Sequence, residues 1–339
     1  MRTFLVRSLL VLLSLVIVAS ALFYWRYSVF LSTPLAVDGD GLVLDIPRGS
    51  GLRRISDDLA TRGLISSPDL LVLHGRLNGF DTGIKAGEYR VEPGTMPPQL
   101  LRQLTSGRVM LHGLTLVEGW TFDQALTAVR ATPELTATLE GLDAATIMDR
   151  LGEPGQHPEG RFFPDTYHFP RGTTDLEFLR RARDTMRENL DRAWQQRAEG
   201  LPFADSYEAL VLASIVEKET SVPDERAEVA GVFVRRLHKG MRLQADPTVI
   251  YGLGESFDGN LRKRDLRADT PYNSYTRKGL PPTPIALPGR GAIEAVLNPA
   301  DGKALYFVAT GNGRHVFADN LTDHQANVRR YQLRGRKGG

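Results

Sequence analysis

Hydrophobicity along this chain changes its period twice. From Ser8 to Trp25 there is no charge, and Leu, Val, Ile and Ala dominate 18 consecutive positions. Arg2 and Arg7 precede this run and Arg26 follows it. An unbroken apolar stretch of that length is near the minimum for a membrane-spanning helix. Phe23, Tyr24 and Trp25 would sit at the far interface, where aromatic rings are favoured. Ala19-Ser20-Ala21 offers a rival reading, because it resembles the small-residue cleavage site of a signal peptide. The run stays apolar beyond Ala21, which favours an uncleaved anchor over residues 1–31, inserted through residues 8–25. The Arg2 and Arg7 charges then place the N-terminus in the cytoplasm and the remainder across the membrane.

After a linker at 32–41, short apolar strand candidates alternate with helical patterns of period 3.6. A turn unit recurs between them. Pro47-Arg48-Gly49-Ser50 follows Leu42-Val43-Leu44 and precedes a helix over 52–62. Glu92-Pro93-Gly94-Thr95 follows Tyr89 and precedes a helix through Leu104. Glu118-Gly119-Trp120-Thr121 follows Leu114 to Leu116 and precedes a helix over 122–130. Pro170-Arg171-Gly172-Thr173 precedes a long charged helix, Asp175 to Arg197. A Gly turn with a Ser/Thr cap is common punctuation before a helix, so the four need not share an origin. They do predict an α+β fold with small sheets and packed helices, divided into a subdomain at 42–108 and a larger domain at 109–333. Further helices are expected from a Ser206 cap to about Glu219 and over 229–237. Loops fill 241–299, strands cover 304–309 and 314–317, and a helix spans 322–333. A basic tail occupies 334–339.

The helix from Ser206 carries the most suggestive chemistry. An apolar run from Ala209 to Val216 ends on Glu217. Leu210 and Ala213 lie seven and four positions earlier, on the same helix face. A carboxyl following an apolar stripe is expected to lose water, which raises its pKa and suits it to donate a proton. The competing reading is a solvated Glu at a fraying helix end. Glu219 is rotated about 200° from Glu217, so the two do not form a facing pair on this helix.

Composition narrows the classes. Hydrophobic residues at 42% and charged ones at 24% are those of a globular chain. A net charge of +2 gives no footprint for nucleic acid. The absence of cysteine removes disulfides, thiol catalysis and Cys-based metal sites. The seven histidines show no metal-ligand spacing, and there is no phosphate loop or nucleophile elbow, so no metal and no cofactor are expected. Beyond residue 240, three Pro-, Tyr- and Asn-rich patches could form a stiff glycan groove, or simply an irregular run of turns.

Together these residues resemble the membrane-anchored endolytic murein transglycosylases of the YceG-like family. The likeness is carried by Leu212-Ala213-Ser214-Ile215-Val216-Glu217-Lys218-Glu219-Thr220 and by Arg242-Leu243-Gln244-Ala245-Asp246-Pro247-Thr248 through Gly252. Tyr272-Asn273-Ser274-Tyr275, Gly279-Leu280-Pro281-Pro282, Asn298-Pro299, Glu118-Gly119-Trp120-Thr121, Glu159-Gly160 and Pro164-Asp165-Thr166-Tyr167 continue it. The resemblance implies a LysM-like subdomain at 42–108 and a transglycosylase domain at 109–333, outside the inner membrane in the periplasm. It implies cleavage between N-acetylmuramic acid and N-acetylglucosamine in nascent peptidoglycan strands, leaving 1,6-anhydro ends and terminating elongation. Peptidoglycan synthases would be partners. The family's catalytic glutamate falls on Glu217, and Gln244, Asp246, Tyr251, Asn273 and Tyr275 are candidate sugar-binding residues. A lysozyme-like hydrolase with Asp246 or Glu219 as second carboxylate, and a noncatalytic glycan-binding scaffold, are the alternatives.

Overall fold

The computed structural model describes residues 2–333; the basic tail at 334–339 lies outside the described residues. The apolar N-terminal run extends further than its uncharged core, as one helix, α1 (Arg2–Ser32). Its Phe4–Ser32 stretch is long and apolar enough to cross a membrane, consistent with an anchor. Leu9 to Val18 are exposed throughout, so no protein core claims this surface.

The described chain divides into two compact units, residues 2–112 with 169–172, and residues 113–168 with 173–333. In the first unit, β1 (Leu42–Ile46) leads into α2 (Leu52–Thr61) and α3 (Pro68–Leu77). The chain returns through β2 (Gly87–Val91) and ends in α4 (Pro97–Ser106). β1 and β2 pair antiparallel, Leu42 opposite Val91 and Ile46 opposite Gly87. Period-2 alternation turns Leu44, Ile46, Tyr89 and Val91 inward onto Leu59, Leu71 and Leu100. Tyr89 is fully buried, and its hydroxyl donates to the Lys85 carbonyl at 2.8 Å and the Leu104 carbonyl at 3.1 Å.

In the second unit, β3 (His112–Thr115) pairs with β4 (Thr166–Phe169). Between them run α5 (Phe122–Arg130) and α6 (Ala144–Leu151). Then come α7 (Asp175–Gln195), α8 (Ser206–Glu219), α9 (Arg226–His238), α10 (Asp246–Leu253) and α11 (Arg290–Leu297). The antiparallel hairpin β5 (Tyr306–Ala309) and β6 (His315–Ala318), then α12 (Leu321–Val328), complete the described chain. α8 is the centre of the core: Ala209 to Val216 are all buried, against α7, α9, α10 and α11.

The recurring Gly turn is real. Gly49, Gly94, Gly119 and Gly172 all take φ between +80 and +82, which a side-chain-bearing residue rarely adopts. The caps are less uniform. Thr121 accepts from the Gln124 amide, and Thr174, one residue later than expected, from the Glu177 amide. Thr95 instead donates back to the Glu92 carbonyl, and α2 and α4 begin without a hydroxyl cap. Asp205, not Ser206, caps α8, accepting from the Glu208 amide at 3.0 Å. The stretch expected as loops holds two short helices, α10 and α11, whose eight residues span too few turns to declare a period.

Replacing Tyr89 by Phe removes a donor from the Lys85 and Leu104 carbonyls, of which Leu104 keeps the Lys85 amide at 3.0 Å. The first unit should lose about 1–2 kcal/mol, read as a lower denaturant midpoint. An unchanged midpoint would show that those carbonyls find other partners.

Candidate active site

A helix buried on every side reaches its C-terminal turn with two carboxylates on it. The last carbonyls of α8 carry partial negative charge, which opposes ionisation of any nearby acid. What each carboxyl meets beyond the helix therefore decides its state. Glu217 and Glu219 point to opposite sides and meet different surroundings.

Glu217 is held by partners. Its side chain is 5% exposed, and its Oε2 accepts from the Gly289 amide at 2.9 Å. Gly289 is the N-cap of α11, so the positive end of a helix faces this carboxylate. Arg226 Nη2 lies 3.5 Å from Glu217 Oε1 and 3.6 Å from Glu118 Oε2. One turn earlier, Ser214 Oγ accepts from the Ile285 amide at 2.9 Å, so Ser214 and Glu217 together fasten segment 285–289 to α8. Lys218 Nζ reaches the Gly119 carbonyl at 3.1 Å. A Cβ at Gly289 would collide with the Glu118 carboxyl, and one at Gly291 with the Arg226 guanidinium. Burial raises the Glu217 pKa, and Glu118 adds to this; the Gly289 amide, Arg226 and Lys218 pull it back.

Glu219 faces a cavity. The space, about 500 Å³, is lined by Glu219, Arg236, Gln244, Asp246, Tyr275, Tyr306, His315 and His324 among others. Burial, then the charge of Asp246, push the Glu219 carboxyl up to about 8; Arg236 opposes them. Among the described residues no hydrogen bond to the Glu219 carboxyl is formed, so nothing but Arg236 compensates its charge. Near neutrality Glu219 is thus a protonated acid open to a cavity, the state a general acid requires.

Three of the five expected binding residues share this cavity. Gln244 and Asp246 line it, and Tyr275 donates to Asp246 Oδ1 at 2.5 Å. Tyr251 and Asn273 do not. The Tyr251 hydroxyl donates to Glu159 Oε2 at 3.0 Å beside a separate cavity of about 450 Å³. Glu159 also accepts from the Phe122 amide at 2.9 Å, and burial raises its carboxyl to about 7. Asn273 is fully buried. Its amide group donates to the Asp265, Leu266 and Ala268 carbonyls, and its oxygen accepts from the Tyr275 amide. Its geometry makes it the frame of the loop that presents Tyr275.

Sequence reasoning gave Glu219 a place only as a second carboxylate in the hydrolase alternative, and assigned no role to Glu159 or Arg236. The signal for Glu219 was present: Leu212, Ile215 and Val216 precede it just as Leu210 and Ala213 precede Glu217. Periodicity cannot rank two acids at the end of a helix that is apolar all round. The described residues hold no group of three or more His, Cys, Asp or Glu placed to bind a metal.

Carboxyls whose pKa is raised by folding bind protons in the native state that the unfolded chain has released. Stability from Glu219 and Glu159 is therefore lost as pH climbs from about 4.5 towards about 8 and about 7 respectively. Chemical denaturation at stepped pH should show this decline. Glu219→Gln and Glu159→Gln should each flatten it, and a slope unaltered by both would refute the burial argument. Separately, Gly289→Ala should lower the melting temperature by several degrees, since the Cβ must displace Glu118 or the α11 N-terminus.

The YceG-like family profile matches residues 44–330. A Bacillus subtilis (strain 168) protein named endolytic murein transglycosylase is 30% identical over 323 residues, covering 90% of this chain and 89% of the relative. A protein of the same name from Streptococcus pneumoniae (serotype 2, strain D39) is 28% identical over 342 residues, covering 90% of this chain but 61% of the relative. A crystallised Listeria monocytogenes protein described as yceG-like superposes with a TM-score of 0.51 at 29% identity, covering 85% of this chain and 99% of that one.

Proposed function

The chain belongs to the YceG-like family, and from that premise we propose that it is an endolytic lytic transglycosylase of peptidoglycan with Glu219 as its proton-transfer group. One observation carries the assignment to Glu219: a carboxyl kept protonated at neutral pH opens onto the cavity where Gln244, Asp246 and Tyr275 converge. In this reading Glu219 protonates the oxygen between N-acetylmuramic acid and N-acetylglucosamine as the bond from C1 breaks. The resulting carboxylate takes the proton from the C6 hydroxyl of the muramyl sugar. That oxygen bonds to C1 and closes a 1,6-anhydro ring, and no water is consumed. Attack from within the same sugar supplies a high effective concentration, so no second base is required. Gln244, Asp246 and Tyr275 hydrogen-bond the sugars, while Tyr251 and Asn273 support the walls.

The βααβ order of β1, α2, α3 and β2 supports a LysM-like reading of residues 42–108, a module that would hold N-acetylated glycan. Arg2 and Arg7, at the N-terminal end of α1 and ahead of its uncharged run, support a cytoplasmic N-terminus, an inner-membrane anchor and a periplasmic catalytic unit. The tether confines the enzyme to the membrane surface, where new strands emerge beside the synthases, so its cuts would terminate strand elongation.

Glu217 is the second candidate for the acid, because burial raises its pKa as well. Glu219→Gln should abolish cleavage of purified glycan strands in the folded full-length enzyme. Glu217→Gln should leave measurable turnover, reduced about tenfold or less through loosening of segment 285–289. The reverse ranking would move the acid to Glu217. Asp246 in the same cavity gives a hydrolase reading its own foothold. Digestion in heavy-oxygen water should yield unlabelled anhydro ends in the mass spectrum; label at the new reducing end would establish hydrolysis. Because the free enzyme must hold its proton, kcat/KM should fall as pH rises through about 8.

A further inference from the structure

Assigning proton transfer to Glu219 leaves the adjacent arginine unexplained. Arg236 on α9 is 7% exposed, and among the described residues it is the one Lys or Arg lining the cavity. Its Nε donates to the Leu305 carbonyl at 2.6 Å. Its Nη1 donates to the Leu243 carbonyl at 2.7 Å, the Arg242 carbonyl at 3.2 Å and Gln244 Oε1 at 3.4 Å. The guanidinium carbon lies 5.0 Å from the centre of the Tyr306 ring. One side chain thus clamps the turn that leads into α10 and the residue just ahead of β5.

The clamped turn is strained. Gln244 has φ +53, the one non-glycine residue with positive φ among those described. A Cβ makes this conformation costly, and such residues persist only where their surroundings over-determine them. Here the surroundings are Arg236 on one side and Ser274 on the other. The Ser274 carbonyl accepts from the Gln244 amide at 3.1 Å, and its hydroxyl accepts from the Ala245 amide at 2.9 Å. A glycine would remove the strain, so the retained side chain points to a use for it.

We propose that Arg236 is a positioning residue of the active site. It fixes the left-handed turn so that Gln244 and Asp246 face Glu219, and it supplies the buried positive charge beside the Glu219 carboxylate that exists after the proton has left. The proposal rests on the assignment of proton transfer to Glu219. The other charged or titratable groups facing Glu219 are Asp246 of α10, Tyr275, Tyr306 of β5, His315 of β6 and His324 of α12. Asp246 disfavours the carboxylate and Arg236 favours it. His315 is already engaged, its Nδ1 2.9 Å from Glu225 Oε2.

The test is the pH profile of glycan-strand cleavage by the full-length protein in detergent micelles. Arg236→Met should reduce kcat by about a hundredfold and move the basic limb of kcat/KM to higher pH by about one unit, because Glu219 then holds its proton more tightly. Arg236→Lys should keep the basic limb within a few tenths of wild type yet lose about tenfold in kcat, since an ammonium cannot reproduce the guanidinium's fork of donors. An unshifted limb in Arg236→Met, or wild-type kcat in Arg236→Lys, would overturn the proposal. Should Arg236→Met fail to fold, the Lys variant still decides it. The turn is tested independently: Gln244→Gly should melt higher than Gln244→Ala, and equal melting temperatures would refute the strain. An active Glu219→Gln would sink the underlying assignment, whereas an inactive one with an unshifted Arg236→Met limb would sink this proposal alone.

Discussion

Everything in the catalytic unit follows from the burial of α8. Eight consecutive residues, Ala209 to Val216, are out of water, covered by helices on several sides. Such a helix cannot let its polar end drift, because moving it would open cavities around each of those side chains. Its final turn is therefore a rigid mount that carries two carboxyls into the protein instead of into solvent. Desolvation then raises both pKa values.

The two acids diverge because the groups across from them differ. Glu217 receives a carboxylate, Glu118, but it is offset by a helix N-terminus, an arginine and a lysine, which all favour the ionised form. It spends its oxygens on holding segment 285–289 in place. Glu219 receives another carboxylate and a single arginine whose Nε and Nη1 are turned to backbone. Pushing the titrations of neighbouring acids apart is how one scaffold assigns them separate tasks. In the proposed division Glu217 maintains the architecture, and Glu219 exchanges the proton.

The cavity around Glu219 draws on parts of the chain far apart in sequence. Asp246 heads α10, Tyr275 comes from a loop framed by buried Asn273, and Tyr306 and His315 come from the final hairpin. Arg236 connects two of these contributions through its hydrogen bonds to Leu243 and Leu305. The cavity's dimensions thus depend on a few buried polar contacts, each costly to break because the remaining partner would be stranded.

The sequence by itself determined the features whose cause is local. Uniform apolarity produced α1, a short apolar run marked β1 and period 3.6 marked α2, α5, α7 and α9. Four glycines at φ near +80 were legible as turns because residues with a side chain rarely adopt that backbone. The family motifs likewise singled out α8 and three residues that line one cavity with Glu219, namely Gln244, Asp246 and Tyr275. Short elements such as α6, α10 and α11 escaped notice, since eight residues give too little periodicity to separate from turns. Only the tertiary structure distinguished Glu217 from Glu219. Both follow apolar residues on their own face, and helix geometry says that they diverge but not towards what. That is settled by Gly289 and Arg226 on one side and Asp246 and Arg236 on the other. Those partners act through distances that exist after folding, so no pattern of spacing along the chain contains them.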